Sequence, residues 1–94
     1  MIETRYASNP QDVKNYDTER LRKDFLVEKV FSHDRITGVH SLYDRMISLG
    51  VMPVRTALEL PAFEEVTKAQ FFLERRELGV INIGKEGTVT VDGE

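Results

Sequence analysis

The sequence predicts a mainly β domain preceded by two short helices, on three observations. Short stretches rich in β-branched residues alternate between apolar and polar side chains, which is the pattern of half-buried strands. Glycine, proline and acidic turn residues separate these stretches at close intervals, which favours a sandwich or barrel over parallel βαβ units. Two helix-start signals precede them. We therefore predict an arm with short helices over residues 1–24 and a β domain over residues 25–94.

The composition excludes several classes of protein. The 94 residues allow one domain at most, and an apolar fraction of 40% supports a small core. A net charge of −3 argues against nucleic-acid binding, which needs a basic surface. No apolar run has the length of a membrane span, and the first residues lack a secretory signal. The absence of cysteine fits a reducing compartment, so we expect a cytoplasmic protein that binds neither nucleic acid nor membrane.

The N-terminal quarter carries the helix signals. Residues 1–8 are polar and without period, and we predict an arm there. Asn9 is a preferred N-cap residue, and Pro10 fits the first position of a helix because its missing N–H would be unpaired there anyway. Asp17 is a second N-cap residue and opens the second short helix.

The middle of the chain alternates between strand-like stretches and turns. The predicted strands comprise residues 25–31, 36–43, 45–49 and 56–60. Pro53 cannot belong to a central ladder because it has no N–H to donate. Residues 61–70 are predicted to connect the sheet to the C-terminal stretch, with one helical turn.

The C-terminal stretch, residues 71–94, contains two alternating runs. Their apolar side consists of Ile81, Ile83, Val89 and Val91. A glycine-bounded turn separates the runs, and Asp92-Gly93 is a strong hairpin signal without a returning strand after it. We therefore expect the sheet to be incomplete in this chain.

The residues do not form a recognisable active site. His33 and His40 are the only two histidines, and a zinc site normally uses at least three protein ligands. A phosphate-binding loop requires glycines directly before a helix, whereas the glycines here lie in or between the predicted strands. We therefore expect no metal ligand, no cofactor and no catalytic residue in this chain.

The charged run Glu74-Arg75-Arg76-Glu77 has two interpretations. Guanidinium groups bind carboxylates in a bidentate manner, so Arg75 and Arg76 are candidates for binding an acidic sugar or keto acid. Alternatively, the run forms ion pairs with neighbouring strands or with another subunit. The second interpretation is favoured, because most charge runs are structural or solvated.

Two blocks resemble a known enzyme family. The blocks FLVEKVF at residues 25–31 and FLERRELGVINIG at residues 72–84 closely resemble the N-terminal part of 5-keto-4-deoxyuronate isomerase, and the resemblance extends over nearly the whole chain. It implies a longer, cytoplasmic, homohexameric enzyme with two cupin-like β-barrel halves. Such an enzyme interconverts 5-dehydro-4-deoxy-D-glucuronate and 3-deoxy-D-glycero-2,5-hexodiulosonate in the breakdown of pectin and other uronate polysaccharides.

The resemblance also implies where the cofactor is bound. The family's zinc is held by histidines and a glutamate of the C-terminal half, so its ligands would lie beyond Glu94. This implies that the chain is an N-terminal portion that ends within the first barrel and is inactive alone. The alternative for these residues is a non-catalytic cupin-like scaffold or sugar-binding module.

Overall fold

The computed structural model describes residues 2–94, and its centre is a three-stranded mixed sheet in the order β1-β2-β3. The strands are β1 (Ile2–Arg5), β2 (Ile36–Ser41) and β3 (Met46–Val51). The helices are α1 (Pro10–Val13), α2 (Thr18–Phe25) and α3 (Glu64–Thr67), with a 3-10 turn at Phe72–Glu74. Each of these helices is too short to cross a membrane. The prediction of a mainly β domain is thus confirmed at the level of a small mixed sheet.

Both predicted N-caps are confirmed. The Asn9 side-chain oxygen accepts a hydrogen bond from the backbone N–H of Gln11 at 2.9 Å, and Pro10 is the first residue of α1. The Asp17 carboxylate accepts from the backbone N–H of Arg20 at 2.9 Å at the start of α2. Each cap satisfies a helix N–H that has no partner within the helix.

The prediction that residues 1–8 form an arm is wrong. Ile2–Arg5 pairs in parallel with β2, with Ile2 opposite Gly38 and Arg5 opposite Ser41. The Arg5 guanidinium also donates to the Leu26 carbonyl at 2.6 Å. The partner strand is more than thirty residues away, so a period within residues 1–8 could not have shown it.

The predicted pair of strands in the middle of the chain is confirmed. β2 and β3 are antiparallel, with Ile36 opposite Val51 and Ser41 opposite Met46. The intervening turn contains Asp44, where the break was predicted. β3 ends two residues before Pro53, as expected from the missing proline donor.

Four other predicted strands do not form: those at residues 25–31 and 56–60 and the two runs of the C-terminal stretch. Phe25 instead ends α2, residues 26–31, 56–60 and 75–94 contain no sheet hydrogen bonding, and the side chains of Ile81 and Ile83 are 87% and 74% exposed. A strand completes its hydrogen bonds only with a partner, and these segments have no partner strand within residues 2–94. The Asp92-Gly93 turn nevertheless forms, because Val91 and Glu94 exchange two backbone hydrogen bonds of 2.8 and 2.9 Å.

The buried apolar residues lie on β2 and beside the 3-10 turn. Val39, Ala69 and Phe72 are 6–8% exposed. The rings of Phe63 and Phe72 pack edge to face with their centroids 6.3 Å apart, which ties α3 to the 3-10 turn. This small cluster positions residues 72–81 next to the start of β3.

Candidate functional site

A groove lies between the start of β3 and the segment that follows the 3-10 turn. Its first wall consists of Arg45, Met46 and Ile47, and its second wall consists of Phe72 and residues 75–81. Four of the lining residues are charged, the three arginines Arg45, Arg75 and Arg76 and the acidic Glu77, and the others are apolar or glycine. We call this the arginine groove.

The arginines of this groove differ in their ion pairing. Arg75 lies 3.5 Å from the carboxylate of its neighbour Glu74, and its side chain is 71% exposed. Within residues 2–94, Arg45 and Arg76 have no carboxylate oxygen within 4.0 Å. The groove therefore holds two guanidinium groups whose charge is not matched by a direct contact.

Arg45 was missed in the sequence because nothing about its position in the chain links it to Arg75 and Arg76. It occupies the turn between β2 and β3 in the left-handed region, with φ of 55°. Arg45 is thirty residues before Arg75 in the sequence, yet both line the same groove. Only the tertiary structure brings the three arginines together.

His40 is buried and lies next to this groove. It is 9% exposed and stands opposite Ile47 in the β2–β3 ladder, so the two side chains share one face of the sheet. Burial lowers the pKa of His40 from its ordinary 6.5, and the nearby positive charge of Arg76 lowers it further. The imidazole is therefore neutral at pH 7.

The two histidines are not brought together as metal ligands. His33 is exposed in the turn before β2, whereas His40 lies within β2. In the part of the chain that the structure describes, residues 2–94, no three histidine or acidic side chains are grouped so that they could hold a metal ion. These residues do not fit a zinc site.

A second groove lies between the sheet and the segment after α2. It is lined by both acidic and basic residues, and its arginines are ion-paired: Arg5 with Glu3 at 3.1 Å, and Arg22 with Glu28. Paired guanidinium groups have fewer free donors for a ligand. Glu3, Glu19 and Glu28 also offset most of the positive charge of this second groove, whereas Glu77 is the acidic residue that lines the arginine groove, so the arginine groove is the better candidate for binding an anion.

Asp34 is the most strongly perturbed carboxylate, but its role is structural. It accepts hydrogen bonds from the backbone N–H groups of Val54 and Arg55, both at 2.8 Å, and from the Arg55 side chain at 3.0 Å. These contacts lower the pKa of Asp34 to about 2. With the backbone N–H of Thr56 at 3.4 Å, four donors hold this carboxylate ionised, so it is poorly suited to proton transfer near neutral pH.

The comparisons with known proteins agree with the resemblance noted in the sequence. The chain is 52% identical over 87 residues to a 4-deoxy-L-threo-5-hexosulose-uronate ketol-isomerase of Bacteroides fragilis, which covers 93% of this chain and 31% of the relative. The enzyme of the same name from Oceanobacillus iheyensis is 49% identical over 94 residues, covering 99% of this chain and 34% of the relative. That from Lachnospira eligens is 51% identical over 92 residues, covering 98% and 32%.

No family model and no solved structure matches the chain. The chain spans about a third of the length of the curated relatives it matches. Over nearly its whole length, the chain is thus similar to about one third of the length of 4-deoxy-L-threo-5-hexosulose-uronate ketol-isomerases, the family that its sequence resembles.

Proposed function

We propose that this chain is the N-terminal third of a ketol-isomerase that interconverts 5-dehydro-4-deoxy-D-glucuronate and 3-deoxy-D-glycero-2,5-hexodiulosonate. The observation that carries the proposal is the 52% identity over 93% of the chain with a relative whose name states a uronate ketol-isomerase. The complete enzyme is proposed to act in the cytoplasm, in the breakdown of pectin and other uronate polysaccharides. The absence of cysteine is compatible with the cytoplasm, which is a reducing compartment.

The proposed role of these residues is to build the enzyme rather than to carry its chemistry. The described residues offer no group of side chains that could hold a metal ion. Asp34, the carboxylate with the most strongly lowered pKa among them, accepts hydrogen bonds that stabilise the fold. The zinc of the complete enzyme is therefore proposed to be bound by residues outside this sequence. We expect the 94-residue chain alone to have no isomerase activity.

The proposed architecture of the complete enzyme is a cupin-like barrel to which these strands contribute. Its support is the alternating C-terminal stretch, where Ile81, Ile83, Val89 and Val91 are 56–87% exposed. Exposed apolar side chains with a period of two are those that a sheet would bury. Relatives about three times as long have the additional polypeptide to cover them, and a homohexamer would add subunit interfaces.

A chimeric enzyme tests the proposal. The matching 87 residues of the Bacteroides fragilis relative are replaced by those of this chain, and conversion of 5-dehydro-4-deoxy-D-glucuronate is followed by NMR. We expect a folded chimera with isomerase activity within about tenfold of the parent enzyme, equivalent to about 1.4 kcal/mol in the activation barrier. A folded chimera without activity, beside an active parent, would overturn the proposal.

The second candidate function is a non-catalytic, cupin-like scaffold or sugar-binding module. The observation that favours it is the arginine groove, whose charged and apolar lining residues all belong to this chain. The two candidates differ in one readout. Binding of a sugar acid by this chain, with no activity in the chimera, supports the binding module, whereas an active chimera supports the isomerase.

A further inference from the structure

We propose that the arginine groove binds the carboxylate of a sugar acid, with Arg76 and Arg45 as its ligands from opposite walls. The choice of a sugar acid rests on the proposed function, since the relatives are named for a uronate. The presence of an anion site rests on the groove itself. This assigns a binding role to Arg45, which sequence reasoning did not single out.

The charge of the groove supports an anionic ligand. Three guanidinium groups and one carboxylate, that of Glu77, line it, so the groove carries an excess of positive charge. Arg75 already contacts Glu74, whereas Arg45 and Arg76 contact no carboxylate within residues 2–94. A ligand carboxylate would provide the acceptor that these two side chains lack.

The apolar lining of the groove supports a ligand larger than a simple ion. Met46, Ile47, Leu78, Val80 and Ile81 line the groove together with its charged residues. Apolar neighbours keep water from part of the surroundings of a guanidinium group, and a charged hydrogen bond is stronger in such surroundings. The carbon face of a sugar ring can rest on these apolar side chains while its carboxylate meets the arginines.

The neighbourhood of His40 agrees with this assignment. Burial, and after it the positive charge of Arg76, lowers the pKa of the His40 imidazole on β2. His40 therefore adds no competing positive charge beside Arg76 at neutral pH. Arg76 remains the charged group that a ligand meets on that side.

The test is a binding titration of the complete 94-residue chain with D-glucuronate, followed by NMR of the arginine Nε–H and backbone amide signals. D-Glucose is the neutral comparison, since it differs only in carrying a hydroxymethyl group in place of the carboxylate. We expect D-glucuronate to shift the signals of Arg45, Arg76 and the apolar residues that line the groove, and D-glucose to shift none of them at the same concentrations.

Substitution identifies the ligating side chains. Arg76→Gln and Arg45→Gln each remove one cationic donor and are expected to weaken D-glucuronate binding by about tenfold or more, since a hydrogen bond to a charged group contributes about 1.5–3 kcal/mol. Arg35→Gln is the matched control, because Arg35 is exposed and lies outside the groove. The dispersion of the amide spectrum shows that each variant is folded.

The outcomes separate this inference from the proposed function. Equal shifts with D-glucose, shifts confined to residues outside the groove, or unchanged binding by folded Arg45→Gln and Arg76→Gln variants would each overturn the inference. None of these results bears on the activity of the chimera. Conversely, an inactive chimera with specific D-glucuronate binding in the groove would overturn the isomerase proposal and leave the binding site in place.

Discussion

The main chain of Val30 passes directly against Gly50 of β3, so that a β carbon at position 50 would overlap the Val30 carbonyl oxygen and lie 2.6 Å from its carbonyl carbon. The obstacle is backbone, which cannot rotate away as a side chain can. The segment after α2 is thereby held against the sheet without forming a strand of it. The same Val30 carbonyl accepts a hydrogen bond of 2.7 Å from the hydroxyl of Thr37, which stands opposite Gly50 in the β2–β3 ladder.

Gly50→Ala is expected to lower the free energy of unfolding by about 1–3 kcal/mol, the usual range for overpacking a site that must shift to admit extra atoms. Gly87→Ala is the control, because a β carbon at Gly87 meets no atom within 4 Å. Urea denaturation of both variants measures the difference. Equal stabilities would contradict the close contact between Gly50 and Val30.

Asp34 makes stability depend on acid. Its pKa is about 2 in the folded chain against 3.8 ordinarily, so the unfolded chain takes up the proton at higher pH. The stabilisation is complete above pH 3.8 and is expected to disappear as the pH falls through about 2.

Asp34→Asn is expected to lower stability at pH 7, because the amide oxygen is a weaker acceptor for the Val54 and Arg55 donors, and to remove this acid-dependent loss. Urea denaturation between pH 2 and pH 7 measures both effects. Asp44→Asn, in the exposed β2–β3 turn, serves as the control and is expected to retain the acid-dependent loss. A similar pH profile for Asp34→Asn and the parent chain would refute the assignment.

The Arg76 charge is expected to be detectable at His40. Because burial is the larger cause of the lowered pKa and Arg76 the smaller, Arg76→Gln should raise the pKa of His40 but leave it below 6.5. The sign for stability follows from the same linkage: the unfolded chain binds the His40 proton first as the pH falls below 6.5, so stability decreases there. The decrease should be smaller in the variant.

An NMR titration of the His40 ring protons measures this pKa, and His33 provides an internal comparison in the same spectrum. Arg35→Gln, which removes an equal charge outside the groove, is expected to leave His40 unaffected. An unchanged His40 titration in Arg76→Gln would show that the two side chains do not face each other in solution.

The cap of α2 offers a test of local stability. Asp17→Ala removes the acceptor of the Arg20 N–H and is expected to cost about 1 kcal/mol. Asp17→Asn keeps a side-chain oxygen at the cap and should cost much less, since asparagine and aspartate are comparable N-caps. Thermal unfolding monitored by circular dichroism distinguishes the two. A loss of equal size in both variants would argue against the cap as the cause.

The exposed apolar residues near the C terminus predict self-association of the isolated chain. Val89 and Val91 are 65% and 56% exposed, and an exposed, β-prone segment can pair with a second copy. The double variant Val89→Lys, Val91→Lys is expected to be more monomeric in sedimentation velocity over a range of concentrations. Thr88→Lys, Thr90→Lys adds the same charge on the alternate positions and should change association less. A monomeric parent chain at high concentration would disprove the prediction.

The sequence by itself determined the features that depend on neighbouring residues. The caps at Asn9 and Asp17 and the Asp92-Gly93 turn are local, because donor and acceptor are within a few residues of each other. The β2–β3 hairpin followed from alternation on both sides of a short turn. The blocks at residues 25–31 and 72–84 were also sufficient to show the resemblance to the ketol-isomerases, and the curated relatives agree with it.

The tertiary structure decided which strand-like segments have partners and which charges meet. A strand completes its hydrogen bonds only with another segment, so the pattern at 56–60 could not show that no partner is present, and the absence of pattern at 2–5 could not exclude one. For the same reason, Arg75 and Arg76 could be chosen from the sequence but Arg45 could not. Its place in the same groove depends on the tertiary structure, which brings together two segments that are distant in the chain.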